Sequence, residues 1–577
     1  MNILKDYTNW EPILDYENES PYLESQERPW LKNRTTTLPK SVKFDPIPVH
    51  KFVKVRWSKY LNNVCVYHKA SNKKYTYREA MKYSDQIANA LYELGIRKED
   101  AVGIMSGNCP EVLFCMLGIL ETGATVVPIN PLLKEPEVTH IVRDAGHIKV
   151  IFVHIANYRT IKRVRKQIEI ENIFLLGAEE ARDDVITLEE FILDKRAKAP
   201  EIDIDPMSDI AALLFTGGTT GLPKGVMLTH HNLVSNMIQI DYSRLGDRTL
   251  EELEEQIGTF VSLSVLPLCH SFGFTGALVY MSGAHMLVMF PSFDPIEILK
   301  AIEFYRPHLF VGVPVMFQML INCPDFTERD LSSLESATSG SAPLAPELAR
   351  KWEQVIGTKV YQGYGLTETS PGTHGASKWM QDILPESIGM PILDTDAKII
   401  NPDTLEELCT NEIGELLIKG PQIMKGYWKK PKATSATFLN DWLRTGDLAR
   451  MDENGYFYIE GRTKDMVKYK GYKVMPREVE EKLMEHPAIL EIGVIGVPDP
   501  NIGETIKAFV VLKQEYKDKG ITERDIIEWG KEKMAAYKYP RQVEFLKNLP
   551  RTAIGKVFRR KLREMELKKQ EKSITPL

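Results

Sequence analysis

The sequence has few cysteines, and none stands where a zinc site or a disulfide framework would need it. Its 577 residues include six cysteines, which are scattered, have mostly apolar neighbours and form no C-x-x-C pair. This pattern favours a reducing compartment, so we expect a cytoplasmic protein. The cysteines are Cys65, Cys109, Cys115, Cys269, Cys323 and Cys409.

Long hydrophobic runs are also missing. The N-terminus lacks the apolar core of a signal peptide. The apolar stretch 260–290 is interrupted by Pro267, His270 and several glycines, well short of the ~20 clean residues that a membrane span requires. We therefore predict no transmembrane segment and read this stretch as buried core that crosses an active site. The tail 558–569 alternates basic and acidic residues, which predicts a solvated surface helix, with weak peripheral membrane contact as the alternative.

The chain has no strong excess of either charge. A net charge of -6, with 26% charged and 43% apolar residues, gives no broad electrostatic reason to bind nucleic acid. Any negatively charged ligand must then be held by local groups. The length exceeds what one hydrophobic core usually supports, so two or more domains are expected, and the sequence leaves open whether the chain forms a homodimer.

Most of the chain alternates between strand-like and helix-like segments. Residues 1–46 show no period and predict an extended arm lying on the main body. Thr76 and Glu79 fit a capping box, and the apolar stripe that follows predicts a helix that stops at Gly95. The alternation of strand-like and helix-like segments predicts βαβ units, a parallel sheet and an α/β fold. Further predicted elements are strand Ala101–Met105, a helix from Pro110 to near Gly123, strand Ala124–Ile129, helix Glu135–Ala145 and strand Val150–Val153.

The character of the sequence changes after Gly461. A charged junction at 462–464 leads to a lysine-rich turn, a predicted helix Pro476–Met484 and predicted strands at 492–496 and 506–512. We therefore predict a large N-terminal domain of layered α/β subdomains over 1–461, a hinge at 462–464 and a small C-terminal α+β domain over 465–577.

A Gly/Thr-rich loop, Thr216–Gly225, follows directly after the predicted strand Ile210–Phe215. Such a loop offers backbone N–H groups and hydroxyls to phosphate oxygens, and Lys556 in the distant stretch 550–556 can add positive charge. A plain surface turn is the alternative. The Walker spacing is not met, because Pro223 precedes Lys224 and Gly225 follows it. Rossmann and nucleophile-elbow patterns fail as well.

From about Val53 to Arg560 the chain resembles the adenylate-forming enzymes, which include acyl-CoA synthetases, 4-coumarate-CoA ligases, firefly luciferase and nonribosomal peptide adenylation domains. The resemblance rests on nine motifs in that family's order. They are Thr216–Gly225, Leu266–His270, Gly312–Pro314, Ser339–Pro343, Tyr361–Glu368, Arg444–Asp447, Gly461–Asp465, Lys470–Gly471 and Gly555–Lys556. It implies that the large domain holds ATP and a carboxylic acid and that the small domain is mobile, rotating about the junction at Lys464.

The resemblance implies an AMP-forming ligase that uses ATP, Mg²⁺ and coenzyme A and passes through an acyl-adenylate. Among catalytic residues, Lys556 matches the lysine that stabilises charge on phosphoryl oxygens, Glu368 the Mg²⁺ ligand and Thr367 an α-phosphate contact, while His270 lies between carboxylate and phosphate. The implied ATP and AMP contacts are Thr216, Gly217, Gly218, Thr219, Thr220, Gly221, Lys224, Ser341, Ala342, Pro343, Gln362, Gly363, Tyr364, Gly365, Asp447, Arg462, Lys464 and Lys468.

Lys468 and the turn at Lys470–Gly471 also resemble groups that serve the thioester step and the pantetheine tunnel, although a lysine-rich turn is typical of a solvated face as well. We interpret the adjacent His230 and His231 as structural, because no further metal ligands stand at suitable spacing. Two positions depart from the family pattern: many members carry Ser where Gly217 stands and Gly where Ser341 stands. Neither change should abolish ATP binding.

The expected substrate is a medium- or long-chain fatty acid, because the loop version, the arm and the Arg-rich ending look most like the fatty acid-CoA ligase branch. Alternatives are the same chemistry on a short hydroxy acid or an aryl acid, and an adenylation enzyme that loads a carrier protein. No carrier domain follows Lys556 in this sequence. A nonenzymatic nucleotide-binding protein would leave the matched Lys556 and Glu368 unexplained.

Overall fold

The computed structural model describes residues 10–146, 148–183, 185–216, 222–243, 249–380, 382–470, 472–499, 503–551 and 557–574. The chain divides into two compact units, which are described separately here. Unit 1 comprises 1–397, 418–443 and 454–456, and unit 2 comprises 398–417, 444–453 and 457–577. The predicted domain boundaries at 461 and 464 stay predictions. Unit 2 also includes 398–417 and 444–453, which precede both boundaries in the chain.

The largest sheet of unit 1 carries the predicted phosphate loop. Its inner strands are parallel and alternate along the chain with helices, as the α/β prediction requires, whereas the two strands that flank the loop are antiparallel. In spatial order the strands are Gly426–Tyr427, Lys224–Thr229, Ile210–Thr216, Thr125–Ile129, Ala101–Met105, Ile148–His154 and Asn172–Leu176. The α/β fold class is therefore confirmed.

Three smaller sheets complete unit 1. One is ordered Val261–Ser264, Met286–Met289, Val64–His68, Lys73–Thr76. A second is ordered Leu309–Gly312, Ser336–Ser339, Val360–Gly365, Gly372–Gly375, Met390–Pro391. The third pairs Ile13–Asp15 with Ser41–Lys43. Short strands at Asp396–Ile400, Gly414–Lys419 and Phe438–Leu439 lie near the boundaries at which the chain passes between units.

The helices of unit 1 follow the predicted signals closely. Thr76 caps helix Tyr77–Glu93 by accepting from the Glu79 amide, so the predicted capping box is present. Helix Glu135–Ala145 has the predicted bounds. The other helices are Val49–Lys54, Pro110–Glu121, Tyr158–Val164, Leu188–Ile192, His230–Tyr242, Leu250–Glu255, Ser271–Ser282, Pro295–Tyr305, Pro314–Ile321, Pro346–Ile356 and Pro431–Thr437.

The apolar stretch 260–290 forms a strand, helix Ser271–Ser282 and a second strand, all in the interior of unit 1. Phe274 and Leu278 of the helix are fully buried in the main hydrophobic cluster. Within the described ranges, no helix is long and apolar enough to cross a membrane. All six cysteines are free thiols.

The N-terminal segment 10–46 is bound to the rest of unit 1 through two buried carboxylates. Asp396 accepts from the backbone amide and hydroxyl of Ser25 at 2.7 and 2.6 Å, and Asp394 accepts from the hydroxyl of Ser41 at 2.6 Å. Trp30 is fully buried, and a Cβ at Gly455 would lie 2.3 Å from the Trp30 amide nitrogen. The segment is therefore an integral layer of unit 1.

Unit 2 contains an antiparallel strand pair and a separate α+β sheet. Trp442–Met451 pairs with Phe457–Arg462 over residues 447–451. The sheet is ordered Tyr472–Val474, Val467–Tyr469, Gly503–Leu512, Ile489–Asp499, with Gln542–Phe545 beside Gly503–Leu512. Its helices are Pro476–Met484, Glu523–Lys533 and Arg559–Ile574. The predicted helix Pro476–Met484 and the two predicted strands are thus confirmed.

The C-terminal helix Arg559–Ile574 is more than a solvated surface element. Leu562 is fully buried in a cluster with Val497 and Phe509, and Glu566 accepts from Lys507 at 2.6 Å. Arg559 and Arg563 also bind carboxylates of unit 2, at Glu480 and Asp465. The alternating charges of the tail did not indicate this docked face, because several of these charges are paired within the unit.

Candidate active site

The predicted phosphate loop connects two neighbouring antiparallel strands. Thr216 ends the strand Ile210–Thr216, Lys224 begins the strand Lys224–Thr229, and these two residues are register partners. Gly217, Gly218, Thr219, Thr220 and Gly221 lie outside the described residues. The pairing of the two flanking strands places the two ends of the loop, Thr216 and Lys224, opposite each other.

The two segments predicted to enclose adenine end neighbouring parallel strands. Ser336–Ser339 and Val360–Gly365 are parallel, with Ser339 opposite Gln362. Ser341, Ala342 and Pro343 follow the first strand, and Gln362, Gly363, Tyr364 and Gly365 belong to the second. The Gln362 side chain accepts from the Leu344 amide at 2.9 Å and so joins the two segments. Ligand sites in α/β sheets commonly lie at such carboxyl ends of strands.

Thr367 and Glu368 occupy a short turn directly after the second strand. The turn Thr367–Thr369 is fixed by the Thr369 hydroxyl, which accepts from the Leu366 amide at 2.9 Å. A Cβ at Gly365 would lie 1.8 Å from the Pro371 carbonyl oxygen, so the turn requires glycine there. The Glu368 carboxylate accepts a hydrogen bond of 2.7 Å from the Tyr427 hydroxyl.

His270 stands at the N-terminus of helix Ser271–Ser282, beside the same turn. The hydroxyls of Ser271 and Thr367 are 3.4 Å apart, and Thr275 donates to the Ser370 carbonyl at 2.9 Å. Burial lowers the pKa of His270, so the imidazole is neutral at pH 7. Its Nε2 atom is shielded from solvent and has no hydrogen-bond partner among the described residues. A buried nitrogen of this kind is available to a ligand.

Asp447 and Arg462 face each other across the antiparallel strand pair of unit 2. They are register partners, and Arg462 Nε lies 2.7 Å from Asp447 Oδ1. Asp447 is only 4% exposed. An acceptor-only carboxylate held by a guanidinium can accept from two further hydroxyl donors, because each oxygen has two lone pairs.

The remaining predicted residues of unit 2 lie on its turns. Lys464 belongs to the turn after Phe457–Arg462, in which the Asp465 and Met466 amides donate to the Arg462 carbonyl. The Lys468 amide donates to Glu504 at 2.7 Å, and the side chain of Lys468 is exposed. Lys470 is exposed in the left-handed region with φ of 48°. Gly471 and Lys556 lie outside the described residues.

The chemistry of Glu368 fits a magnesium site that is shared with substrate. The described residues contain no cluster of three or more His, Cys, Asp or Glu side chains able to hold a metal. Mg²⁺ commonly takes only one or two carboxylates and fills its octahedron with phosphate oxygens and water. Glu368, a single glutamate near the strands that flank the phosphate loop, fits this mode of Mg²⁺ binding.

Unit 1 contains several of the predicted adenylate-site residues. Thr216 and Lys224 are register partners on neighbouring strands, Thr367 and Glu368 share one turn, and the Thr367 hydroxyl lies beside Ser271, the residue that follows His270. Sequence reasoning missed Tyr427, which contacts both Glu368 and Lys224. Its strand pairs with the strand that begins at Lys224, but Gly426–Tyr427 is too short to carry a periodic signal in the sequence.

Comparison with known proteins assigns the family. The model for AMP-binding enzyme matches residues 53–428, and the model for the AMP-binding enzyme C-terminal domain matches 478–556. The chain is 38% identical over 519 residues to a long-chain-fatty-acid–CoA ligase of Bacillus subtilis, covering 86% of this chain and 90% of that protein. It is 32% identical to a feruloyl-CoA synthase of Amycolatopsis, covering 85% of this chain and 93% of that protein.

Among solved structures, ATP-bound MatB from Rhodopseudomonas palustris superposes with a TM-score of 0.81 at 28% identity, covering 90% of this chain and 99% of that one. The predicted family resemblance is confirmed by both family models, by the sequence relatives and by the shared fold. The chain therefore belongs to the AMP-binding enzyme family, and it is an AMP-forming acid–thiol ligase that uses ATP, Mg²⁺ and coenzyme A.

Proposed function

We propose that the enzyme joins a medium- or long-chain fatty acid to coenzyme A. In the first step a carboxylate oxygen attacks the α-phosphorus of ATP, and the bond to pyrophosphate breaks. In the second step the coenzyme A sulfur attacks the acyl carbonyl carbon, the carbon–oxygen bond to AMP breaks, and the thiol proton leaves to solvent. The relative in Bacillus subtilis, which acts on long-chain fatty acids by its name, carries the substrate part of the proposal.

The residues of unit 1 support the first step. Thr367 and Glu368 lie in one turn, with Thr367 next to the N-terminus of helix Ser271–Ser282. We assign Thr367 to the α-phosphate, Glu368 to Mg²⁺ and the neutral His270 to the junction between carboxylate and phosphate. Mg²⁺ would supply charge neutralisation of the phosphates. Lys224 and Lys556 are proposed to add further positive charge, and electrostatic stabilisation of this kind is usually the largest catalytic contribution.

The helix that begins after His270 supports an apolar acid. Its twelve residues, Ser271–Ser282, include no charged side chain, and most of them are buried. An acyl chain that extends from a carboxylate near His270 would follow the half-buried face of Phe272, Gly276 and Tyr280. Each methylene that leaves water contributes about 0.8 kcal/mol, so a longer chain binds more tightly for as long as the pocket can hold it.

The nucleotide and coenzyme A contacts in unit 2 are part of the same proposal. Asp447, held by Arg462, is assigned to the ribose hydroxyls, and the exposed lysines Lys468 and Lys470, with Gly471, are assigned to the thioester step. We place the reaction in the cytoplasm, because it needs a supply of ATP and a compartment that keeps the thiol of coenzyme A reduced.

A panel of acids tests the substrate assignment. We expect kcat/KM for AMP release, measured with ATP, Mg²⁺ and coenzyme A, to rise from butyrate through octanoate to palmitate by about threefold to fourfold per methylene, until the pocket is filled. Hydroxybutyrate should react poorly, since its hydroxyl would be buried without a partner. A feruloyl-CoA synthase is also among the relatives, so ferulate belongs in the panel. A higher kcat/KM for ferulate than for palmitate would contradict the fatty acid assignment and indicate an aryl acid as the substrate.

A further inference from the structure

We propose that Tyr427 is a positioning residue of the adenylation site, which orients Glu368 for the metal ion and Lys224 for the phosphates. The inference rests on the assignment of Glu368 to Mg²⁺ made above and names a residue that acts through it. The Tyr427 hydroxyl donates to Glu368 Oε1 at 2.7 Å, and its ring face lies 3.9 Å from the Lys224 ammonium nitrogen. One side chain thus contacts both groups that the phosphates need.

The contact with Glu368 constrains the carboxylate. Tyr427 is only 6% exposed, and a hydrogen bond shielded from water is stronger than one in solvent. The bond occupies one carboxylate oxygen and fixes the plane of the group. Metal-binding carboxylates are commonly held by such hydrogen bonds, and loss of the supporting partner typically weakens metal affinity 10- to 100-fold.

Tyr427 can position these groups because its own backbone is fixed on several sides. Its amide donates to the Thr434 hydroxyl at 2.9 Å, and Val226 is its register partner on the strand after the phosphate loop. The next residue, Trp428, donates from its amide to the Gly225 carbonyl at 2.8 Å. We name residues 424–428 the tyrosine segment.

The tyrosine segment also holds the turn that carries Glu368. The Met424 amide donates to the Glu368 carbonyl at 2.9 Å, and the Lys425 amide donates to the Met227 carbonyl at 3.0 Å. The segment therefore bonds to the backbone on both sides, to the strand after the loop and to the Glu368 turn. Tyr427 adds one side-chain contact in each direction.

The ring and the hydroxyl have separable roles. Tyr427→Phe removes the hydroxyl that donates to Glu368 and keeps an aromatic face for Lys224. Tyr427→Leu removes both contacts. We expect the Phe variant to weaken metal binding with nucleotide affinity unchanged, and the Leu variant to weaken both.

Mn²⁺ binding to the complex of the enzyme with a non-hydrolysable ATP analogue tests the first role, read from the electron paramagnetic resonance signal of free Mn²⁺. We expect Tyr427→Phe to raise the Mn²⁺ dissociation constant about tenfold, and Glu368→Gln to raise it at least as much. The double variant should be no worse than Glu368→Gln alone, because Tyr427 acts through Glu368. Tyr77→Phe is the matched control: its hydroxyl is also buried but donates to the His285 carbonyl at 2.6 Å.

Binding of the analogue without metal tests the second role. We expect Tyr427→Leu to weaken it about twofold to fivefold, and Tyr427→Phe to leave it unchanged. The inference is overturned if Tyr427→Phe binds Mn²⁺ like the wild type while Glu368→Gln does not, a result that leaves the Glu368 assignment standing. It is equally overturned, together with that assignment, if neither variant alters Mn²⁺ binding. Additive losses in the double variant would show that Tyr427 acts independently of Glu368, and that too contradicts the inference.

Discussion

Ser341 shows how a single backbone conformation explains a departure from the family pattern. Its φ is 67°, in the left-handed region that side chains with a Cβ rarely adopt. Glycine has no penalty there, whereas serine costs about 1 kcal/mol. Many members of the family carry glycine at this position, and the left-handed conformation accounts for that preference.

Asp447 depends on its partner in a way that can be measured. Arg462 contacts both oxygens of the carboxylate, with Nε at 2.7 Å from Oδ1 and Nη2 at 3.5 Å from Oδ2, so the side chain is fixed before any ligand arrives. Fixed acceptors bind hydroxyl donors with little loss of side-chain entropy.

We predict that Asp447→Asn raises the KM for ATP roughly 10- to 150-fold, because hydrogen bonds to a charged group contribute about 1.5–3 kcal/mol. Pyrophosphate exchange measured with ATP and with deoxyATP tests the assignment to ribose: the wild type should discriminate between them, and the variant should discriminate far less. Asp452→Asn, which alters a carboxylate that accepts from Tyr458 in the same unit, should retain the wild-type preference. Unchanged discrimination in Asp447→Asn would remove Asp447 from the ribose site.

At the scale of elements, short sequence patterns predicted helices and strands whose formation depends on neighbouring residues. The capping box at Thr76 followed from the Thr76 and Glu79 pattern, and helix Glu135–Ala145 was predicted within the alternation of strands and helices; both are present. Contacts between distant segments had no such signal. The Ser25–Asp396 hydrogen bonds join residues 371 positions apart, and Tyr427 meets Glu368 across 59 positions. Such pairs are set by the packing of whole layers, which one sequence does not reveal.

The motifs selected candidate site residues, whose roles stay predictions, but they gave no information about which residues contact them. Register in nine motifs selected Glu368 and His270, whereas each alone would read as an ordinary surface or core residue. Their neighbours Tyr427 and Ser271 were not selected, because they carry no chemistry of their own and matter only through the groups they touch.

The turn between Arg462 and Met466 is the element on which domain alternation would depend. Its far end is anchored, since Asp465 is buried and accepts from Arg563 of the C-terminal helix at 2.8 Å. Lys464 directly precedes this anchor. A proline at 464 would fix φ near −65° and restrict rotation there.

We predict opposite effects on the two half-reactions for two lysine variants. Lys464→Pro should slow thioester formation from supplied acyl-adenylate more than pyrophosphate exchange, whereas Lys556→Ala should nearly abolish exchange and spare thioester formation. The reason is that only the first step builds charge on phosphoryl oxygens, and only the second is expected to need a rotated domain. Glu453→Pro, in another turn of unit 2, controls for proline itself. Equal loss of both half-reactions in Lys464→Pro would argue against alternation.

At the scale of the whole molecule, unit 1 buries several histidines in their neutral form. Burial lowers the pKa of His374 to about 3 and that of His230 to about 4, and it holds the pKa of His50 well below the usual value. Some carboxyls act in the opposite sense: burial raises the pKa of Glu121 to about 7 despite the attraction of Lys54, and it also raises the pKa of Asp394 and that of Glu189. Titration of these groups links folding to pH.

The sign follows from proton uptake on unfolding. An unfolded histidine titrates near pH 6.5, so below that pH the unfolded chain takes up protons that the folded unit 1 excludes. The stability that neutral histidines contribute is therefore complete above about pH 6.5 and is lost as pH falls toward their lowered pKa values. Glu121 has the reverse effect, since the folded state holds a proton there between about pH 4.5 and 7, and it offsets one of these histidines.

We predict that His374→Asn flattens the acid side of the stability curve of unit 1. His374 takes up a proton when unit 1 unfolds. Its removal should therefore reduce the slope of the unfolding free energy against pH by about 1.4 kcal/mol per pH unit between pH 6 and about 4. Urea unfolding followed by tryptophan fluorescence measures it, because every tryptophan except Trp529 lies in unit 1. His486→Asn, in unit 2, should leave this slope unchanged. A wild-type slope in His374→Asn would mean that His374 is protonated in the folded protein, and its burial would then need a partner that carries negative charge.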